Sequence, residues 1–399
     1  MASGEATAVA AAPQETQKEN IKPEDNSQKE EKTTEDQPSK GETVDISNLP
    51  SSAVDGLIKT LFREPLDSCK PSPPAELTAE QKSKYDGLLA LVTGWTTIPT
   101  TSAKGASVEP LSDDERMFLT RECLLRYLRA TKWNVTSAET RLQATLTWRR
   151  EYGVKKHTPE YISIENETGK QVILGYDINA RPCLYLNPSK QNTEHSPRQI
   201  EHLVFMIERV IDLMGPGQES LALLVNFKET SSGQNATLSQ GRQTLSILQN
   251  HYPERLGRAL VTNMSFFILG FFKLITPFID PLTREKLKFN EDMRQHVPPS
   301  HLLKVTGGDV DFEYDHSIYW PALNALAAEK RKAYRERWIQ GGKLVGEHED
   351  YLKGGSGKSL SETTAAQSLD TPTDMEEKME NLAVNDPAKA QQETTAAAA

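Results

Sequence analysis

Three groups of residues in this chain have types and spacings that could do chemistry. Gly354-Gly-Ser-Gly-Lys-Ser359 has the look of a loop that cradles phosphate. Its spacing defeats that reading: the first glycine of GxxxxGK[ST] would be residue 352, which is leucine, and no strand leads into it. The stretch reads instead as a flexible linker. The second group is the histidines, eight in number and scattered, with no HExxH and no paired-ligand spacing. His202 falls in an apolar helical run and reads as a structural or surface histidine. No GxSxG elbow exists for a serine hydrolase. The third group is more informative. Tyr252-Pro-Glu-Arg255 and Asp280-Pro-Leu-Thr-Arg-Glu-Lys286 are charged corners on either side of Phe266-Phe-Ile-Leu-Gly-Phe-Phe272. That order is odd for a soluble enzyme. It suits a chain that encloses a lipid, with the oily part against acyl chains and the corners against a headgroup.

Several elements must position those corners. Ser112-Asp-Asp-Glu115 has the pattern of a capping box, and Phe118, Cys123, Leu124, Tyr127 and Leu128 follow at helical spacing. Thr136-Ser-Ala-Glu139 reads as a second box, opening a helix that stops near Gly153. Gln171–Gly175 and Pro182–Leu186 read as paired strands, and Leu221–Phe227 as a buried one. Helices are expected over Ser196–Met214, Leu238–Asn250, Ser265–Ile279 and Tyr319–Trp338, with strands over Leu256–Thr262 and Lys286–Phe289. Strands alternating with helices imply an α/β fold with a largely parallel sheet.

The 399 residues carry a net charge of −10, unevenly spread. Residues 1–50 hold 5 lysines against 11 acidic residues, and residues 356–399 hold 3 against 8, so the middle is nearly neutral. Both ends lack the apolar content to offset chain entropy and are expected to be disordered acidic tails, 1–50 and 355–399. A neutral body argues against a nucleic-acid partner. Three widely spaced cysteines offer neither a disulfide framework nor a metal pattern, which suits a reducing cytosol. No signal peptide is evident. No window approaches the ~18–20 apolar residues that span a bilayer. A cytoplasmic protein that meets membranes peripherally is the expectation.

Four ordered motifs resemble those of the CRAL-TRIO lipid-binding family. Cys123-Leu-Leu-Arg-Tyr-Leu-Arg-Ala-Thr-Lys-Trp-Asn-Val135 is similar to its "LLRFLRARKFDV". Gly175-Tyr-Asp-Ile-Asn-Ala-Arg-Pro182 is similar to "GxDxxGRP". His251–Gly257 is similar to "YYPERLG", and Phe278–Lys286 to "FLDPxTxxK"; Gly307-Gly308-Asp309 matches the closing glycine pair. The resemblance covers residues 75–340 and points to the fungal phosphatidylinositol-transfer subgroup linked to azole resistance. It implies a helical region over 75–155, a lipid-binding domain over 160–315 and a closing helix over 317–340. The implied domain has a mixed, largely parallel sheet under an apolar pocket closed by a gate helix. It implies a bound lipid, phosphatidylinositol, and neither metal nor other cofactor.

By the same resemblance the headgroup is held by Glu254, Thr283, Lys286 and Lys132. Lysine donates charge-assisted hydrogen bonds to a phosphodiester, glutamate accepts from ring hydroxyls and threonine does both. The residues alone leave open a second reading, in which Glu254 and Lys286 form a fold-stabilising ion pair. Two departures from the family pattern bear on the ligand. Thr131 stands where the basic pair has arginine. Leu221 and Leu223 stand where relatives that bind phosphatidylcholine carry serine and threonine. Leucines cannot hydrogen-bond that phosphate, and burying it unpaired costs several kcal/mol, so phosphatidylcholine binding is expected to be lost. A sterol is the expected second ligand. Phe266, Phe267, Phe271 and Phe272 mark the gate helix, whose alternative is an ordinary core helix.

The expected function is transfer of phosphatidylinositol between membranes, at the endoplasmic reticulum, lipid droplets or cell periphery, without covalent chemistry. The rivals are a sensor that presents the lipid to a phosphatidylinositol kinase and, from another class, a lipid-modifying enzyme. The sequence leaves the choice between monomer and homodimer open.

Overall fold

In a computed structural model, the described residues are 44–369, apart from residue 235. The expected acidic tails fall largely outside them. The N-terminal region begins with β1 (Leu57–Ile58) and α1 (Ala79–Thr93). A hairpin follows, β2 (Thr97–Pro99) against β3 (Val108–Pro110), and then α2 (Asp113–Phe118), α3 (Arg121–Ala130) and α4 (Val135–Glu151). Ser112 and Glu115 form the expected capping box at α2. The helix behind it is not continuous. Leu119 ends α2, and Thr120 restarts the chain by accepting from the Cys123 amide. The second box is also corrected: Asn134, not Thr136, caps α4, because its side chain reaches the Ser137 amide. Leu88, Leu124, Leu128, Leu142 and Leu146 seal the helices together, each completely buried and each contributing about 1.5–3 kcal/mol of apolar burial.

The second layer is a five-stranded sheet. After α5 (Pro159–Ser163) come β4 (Gln171–Tyr176), β5 (Pro182–Leu186), α6 (Pro197–Leu213), β6 (Leu221–Asn226) and α7 (Leu238–His251). Then follow β7 (Leu256–Thr262), α8 (Phe266–Ile275), α9 (Pro281–Glu285) and β8 (Leu287–Phe289). The strands lie in sequence order, antiparallel between β4 and β5 and parallel from β5 to β8. The sheet is mixed and largely parallel, as expected. A bulge interrupts β4 at Gly175, whose φ of +71° and close approach to the His301 carbonyl, where a Cβ would sit, leave room only for glycine.

Helix α6 packs on β4 and β5, and α10 (His316–Gln340) packs on α6. Phe205, Met206, Val210, Tyr319, Leu323 and Leu326 join the sheet residues in one core. β9 (Asp311–Phe312) pairs in parallel with β1. Beyond α10 the ordered chain runs further than the expected tail boundary at 355. α11 (Glu349–Leu352) is followed by α12 (Leu360–Leu369). The glycine-rich stretch between them is a held turn: Asp350 accepts from the Gly357 amide at 2.8 Å.

Candidate functional site

Glu254 sits at the corner between α7 and β7, with φ at +60°. A non-glycine residue in that region is uncommon and marks a held conformation. What holds it is Arg129, whose Nε donates to Glu254 Oε2 at 2.6 Å. Arg129 also lies 3.6 Å from Glu219. Glu219 in turn accepts from Arg126 at 2.6 Å, and Arg126 donates to Glu349 at 2.9 Å. Thus four charged groups of α3 and its surroundings lead from the Glu254 corner inward to α11. Burial opposes the Arg126 charge, but Glu349 and Glu219 beside it raise its pKa well above the ordinary arginine value.

Lys286 lies across the start of β7, where its Nζ donates to the Leu256 carbonyl at 2.7 Å. Burial lowers its pKa from the ordinary lysine value, against the fields of Glu254 and Asp280, which raise it. Glu254 and Lys286 therefore sense each other's charge, while the direct ion pair of Glu254 is with Arg129. The Glu254–Lys286 pair allowed by the sequence is not what the structure contains. Asp280 caps α9 by accepting from the Thr283 amide at 2.9 Å, which sets Thr283 in the first turn, three residues before Lys286. The Thr283 side chain is half-buried and, with its amide, helps hold the Asp280 carboxylate below the ordinary carboxylate range. Lys132 is exposed, just beyond the end of α3, with φ at +52°. Its amide bonds to the Arg129 carbonyl at 3.0 Å, which links it to the helix end that carries Arg129.

Arg129 was not among the residues singled out in the sequence. A signal was available: Arg126 and Arg129, three apart, share one side of α3 amid apolar residues. Cations placed so need carboxylates, and Glu219 and Glu254 supply them.

The gate candidate α8 is capped by Ser265, which accepts from the Ile268 amide. It ends in a tighter turn, Thr276–Phe278, where Pro277 prevents continuation. The expected helix to Ile279 is thus a ten-residue α-helix and a turn. Ile268 and Ile275 are buried, while Phe266 and Leu274 are 84% and 61% exposed. Phe271 and Ile275 press on Gly241 of α7. Phe272 meets Phe227, Phe271 and Phe289 edge-on, at 6.3, 6.1 and 5.4 Å between centroids. The Phe267 side chain lies outside what the structure describes. Leu221 is buried beside Leu256, and Leu223 is half-buried between Leu184 and Ala259. Both belong with the apolar core around the sheet.

A helical region that sets Arg129 on the Glu254 corner, a mixed sheet and an oily helix beyond it form the arrangement with which known proteins can be compared. The CRAL/TRIO domain matches residues 166–308, and the CRAL/TRIO N-terminal domain matches residues 84–144. The chain belongs to the CRAL/TRIO family. A CRAL-TRIO domain-containing protein of Schizosaccharomyces pombe is 52% identical over 279 residues, which cover 70% of this chain and 28% of that protein. Phosphatidylinositol transfer protein PDR17 of Saccharomyces cerevisiae is 40% identical over 261 residues, covering 62% of this chain and 75% of that protein. SEC14 cytosolic factor of Candida glabrata is 27% identical over 214 residues, covering 46% of this chain and 69% of that protein. The candidate residues fall in both CRAL/TRIO segments: Arg129 and Lys132 in the helical one, Glu254, Thr283 and Lys286 in the sheet one. Among the described residues no helix is long and apolar enough to cross a membrane, and no cluster of side chains could hold a metal ion.

Proposed function

We propose that this protein extracts phosphatidylinositol from one membrane and delivers it to another, with no covalent step. The observation that carries the reading is the Glu254 corner, pinned by Arg129 at 2.6 Å and facing the field of Lys286 across the start of β7. A phosphoinositol headgroup brings one anionic phosphate and a ring of hydroxyls. Lys286 and Lys132 supply charge to the phosphate, Thr283 supplies a hydroxyl, and Glu254 accepts from ring hydroxyls. The likeness to a protein named for phosphatidylinositol transfer supports the same reading. The helical region, about 75–155, steadies the corner, and the domain over 160–315 holds the acyl chains.

Leu221 and Leu223 place carbon where a phosphocholine phosphate would need donors, so phosphatidylcholine is excluded and a sterol is the second ligand. Helix α8 opens at a membrane surface and closes over the chains. Their methylenes each contribute about 0.8 kcal/mol in the pocket as in the bilayer, so exchange runs near balance. The protein works as a peripheral visitor to membranes, and a lipid kinase that draws on the bound phosphatidylinositol would use the same pocket.

The test is a vesicle-to-vesicle transfer assay on Glu254→Ala combined with Lys286→Ala. Phosphatidylinositol transfer is expected to be abolished while the far-UV dichroism and melting transition persist. Unchanged transfer would mean the headgroup binds elsewhere. Solvent extraction of the protein purified from cells, followed by mass spectrometry, checks the ligand: phosphatidylcholine as the main lipid would sink the reading of Leu221 and Leu223.

A further inference from the structure

A cavity of about 420 Å³ lies behind the Glu254 corner, between α3, α10 and the α11 segment. It is within the range of small-molecule sites. Neither Lys286 nor Thr283 lines it, and its walls mix charged side chains with apolar ones. Its carboxylates are already matched: Glu208 receives both arms of Arg149, Asp212 pairs with Arg209 and Arg331, and Asp114 pairs with Lys155 and Arg335. Two of its cations, Arg255 and Arg337, have no such partner among the described residues. Arg126, Arg255 and Lys353 gather around Glu349, but Glu349 bridges only Arg126 and Lys353.

Arg255 is 9% exposed and has no carboxylate within ion-pair distance among the described residues. Its Nη1 makes the hydrogen bonds the structure gives it, to the Glu219 carbonyl at 2.8 Å and to the Met214 sulfur at 3.8 Å. Burial, with Arg126 next to it, lowers its pKa from the ordinary arginine value, against the fields of Glu349 and Glu219, which raise it. Arg337 lines the same cavity and likewise bonds only a carbonyl, that of Leu352, at 3.2 Å. The Tyr334 hydroxyl, also on the wall, has no hydrogen-bond partner among the described residues. A desolvated guanidinium that no carboxylate bonds directly is costly, and an anion in the cavity reduces that cost.

We propose that this cavity is a binding site for a small free oxyanion of the phosphate class, held by the guanidinium groups of Arg255 and Arg337 and the hydroxyl of Tyr334. A tetrahedral oxyanion can receive two guanidinium forks on different faces, whereas a carboxylate offers one edge to a fork. The α11 segment, tied down through Glu349 and Lys353, closes the cavity. The anion comes from solution and not from the bound lipid, because the Lys286 and Thr283 corner is separate from the cavity wall.

The test is titration calorimetry of the full chain with inorganic phosphate at constant ionic strength, with glycerophosphoinositol as the headgroup probe. Phosphate is expected to bind the unmodified protein and Lys286→Ala alike, and to bind at least tenfold more weakly to Arg255→Gln. Arg337→Gln, at a half-buried position where folding is safer, is expected to weaken phosphate severalfold and carries the test if Arg255→Gln does not fold. No phosphate binding to the unmodified protein would overturn the proposal, as would binding that survives both arginine substitutions. Loss in Lys286→Ala, or displacement of phosphate by glycerophosphoinositol, would assign the anion to the headgroup corner instead. Lipid transfer is not measured in this test, so a failure of the transfer reading leaves its outcome unaffected.

Discussion

The corner at Glu254 and the helix at Phe266 belong to one stretch of chain and are held in opposite ways. The corner is fixed by charge: Arg129, Glu219, Arg126 and Glu349 follow one another at bonding distance, and Arg126 is only 3% exposed. Helix α8 is held by greasy contacts on one side, with Ile268 and Ile275 down, while Phe266, Leu269 and Leu274 face out. The polar ties from α7 to this segment come at its far end, where Gln249 donates to the Phe278 carbonyl at 2.9 Å and Arg242 lies over the Phe278 ring at 4.8 Å. Directional bonds fix a position, whereas apolar contact can be exchanged for other apolar contact at little cost, and acyl chains are such a substitute. The difference suits a site that recognises a headgroup on a rigid frame and admits the chains past a movable wall.

The sharpest way to break the contrast is at the buried end of the charged chain. Arg126→Ala leaves Glu349 and Glu219 short of a partner, and breaking a buried pair from one side costs about 3–5 kcal/mol. Denaturant unfolding should show that loss as a lower midpoint. Leu274→Ser, on the exposed face of α8, should leave the midpoint within about 0.5 kcal/mol. If the two substitutions cost the same, the two regions are not held differently.

A second substitution acts where the wall meets its support. A Cβ on Gly241 would lie 2.8 Å from Ile275 Cδ1 and 3.0 Å from Phe271 Cζ, both ends of flexible side chains. In a rigid core, overpacking of this kind costs about 1–3 kcal/mol. For a movable helix the strain is relieved by retreat. Gly241→Val is therefore expected to cost less than about 1 kcal/mol in unfolding experiments, yet to release a fluorescent phosphatidylinositol severalfold faster. A full core penalty with an unchanged release rate would show that α8 is an ordinary core helix.

These two ends were not equally legible in the sequence. Glu254, Thr283 and Lys286 were picked out by resemblance, on charged turns that flank an apolar run, and they remain the proposed headgroup contacts. The largely parallel sheet followed from the alternation of strand and helix patterns, since each crossover must place its helix on the sheet. Arg129 was hidden inside an apolar helical pattern that reads as core, and its partner lies 125 residues away. The restart of the chain at Thr120 was hidden too, because helical spacing survives a two-residue break. The segment from Glu347 to Ser359 gave no warning of its role. Its polar, glycine-rich composition signals a linker, and what fixes it is long-range: Glu349 to Arg126 and Lys353 to the Gln218 carbonyl.

The pH dependence separates binding from folding at the corner. Burial lowers the Lys286 pKa, so Lys286 sheds its proton at a lower pH than an exposed lysine, whose value is about 10.4. As pH rises through that window, the headgroup loses its cation and phosphatidylinositol binding weakens. Folding responds with the opposite sign: the unfolded chain holds the extra proton there, so the contribution of Lys286 to stability rises with pH. Binding measured against pH in the alkaline range should fall for the unmodified protein and stay flatter for Lys286→Arg. A parallel fall in both would place the titrating group elsewhere.

The smallest expected effect tests the rigid end by improving it. In the hairpin after β4, Asp177 is fully buried, accepts from the Asn179 and Arg181 amides and pairs with Arg181 and Arg258. That turn forces Ala180 to φ +59°, the position at which the family pattern has glycine. A side chain there costs roughly 1–2 kcal/mol, while replacing it by glycine returns about 0.4–1 kcal/mol of freedom to the unfolded chain. Ala180→Gly should therefore stabilise the protein by less than about 1 kcal/mol, seen as a small rise in melting temperature. Because the turn is already fixed by Asp177, the gain should come without any change in phosphatidylinositol transfer. A change in transfer would mean that the hairpin moves with the gate, and the division between a fixed corner and a movable wall would have to be drawn elsewhere.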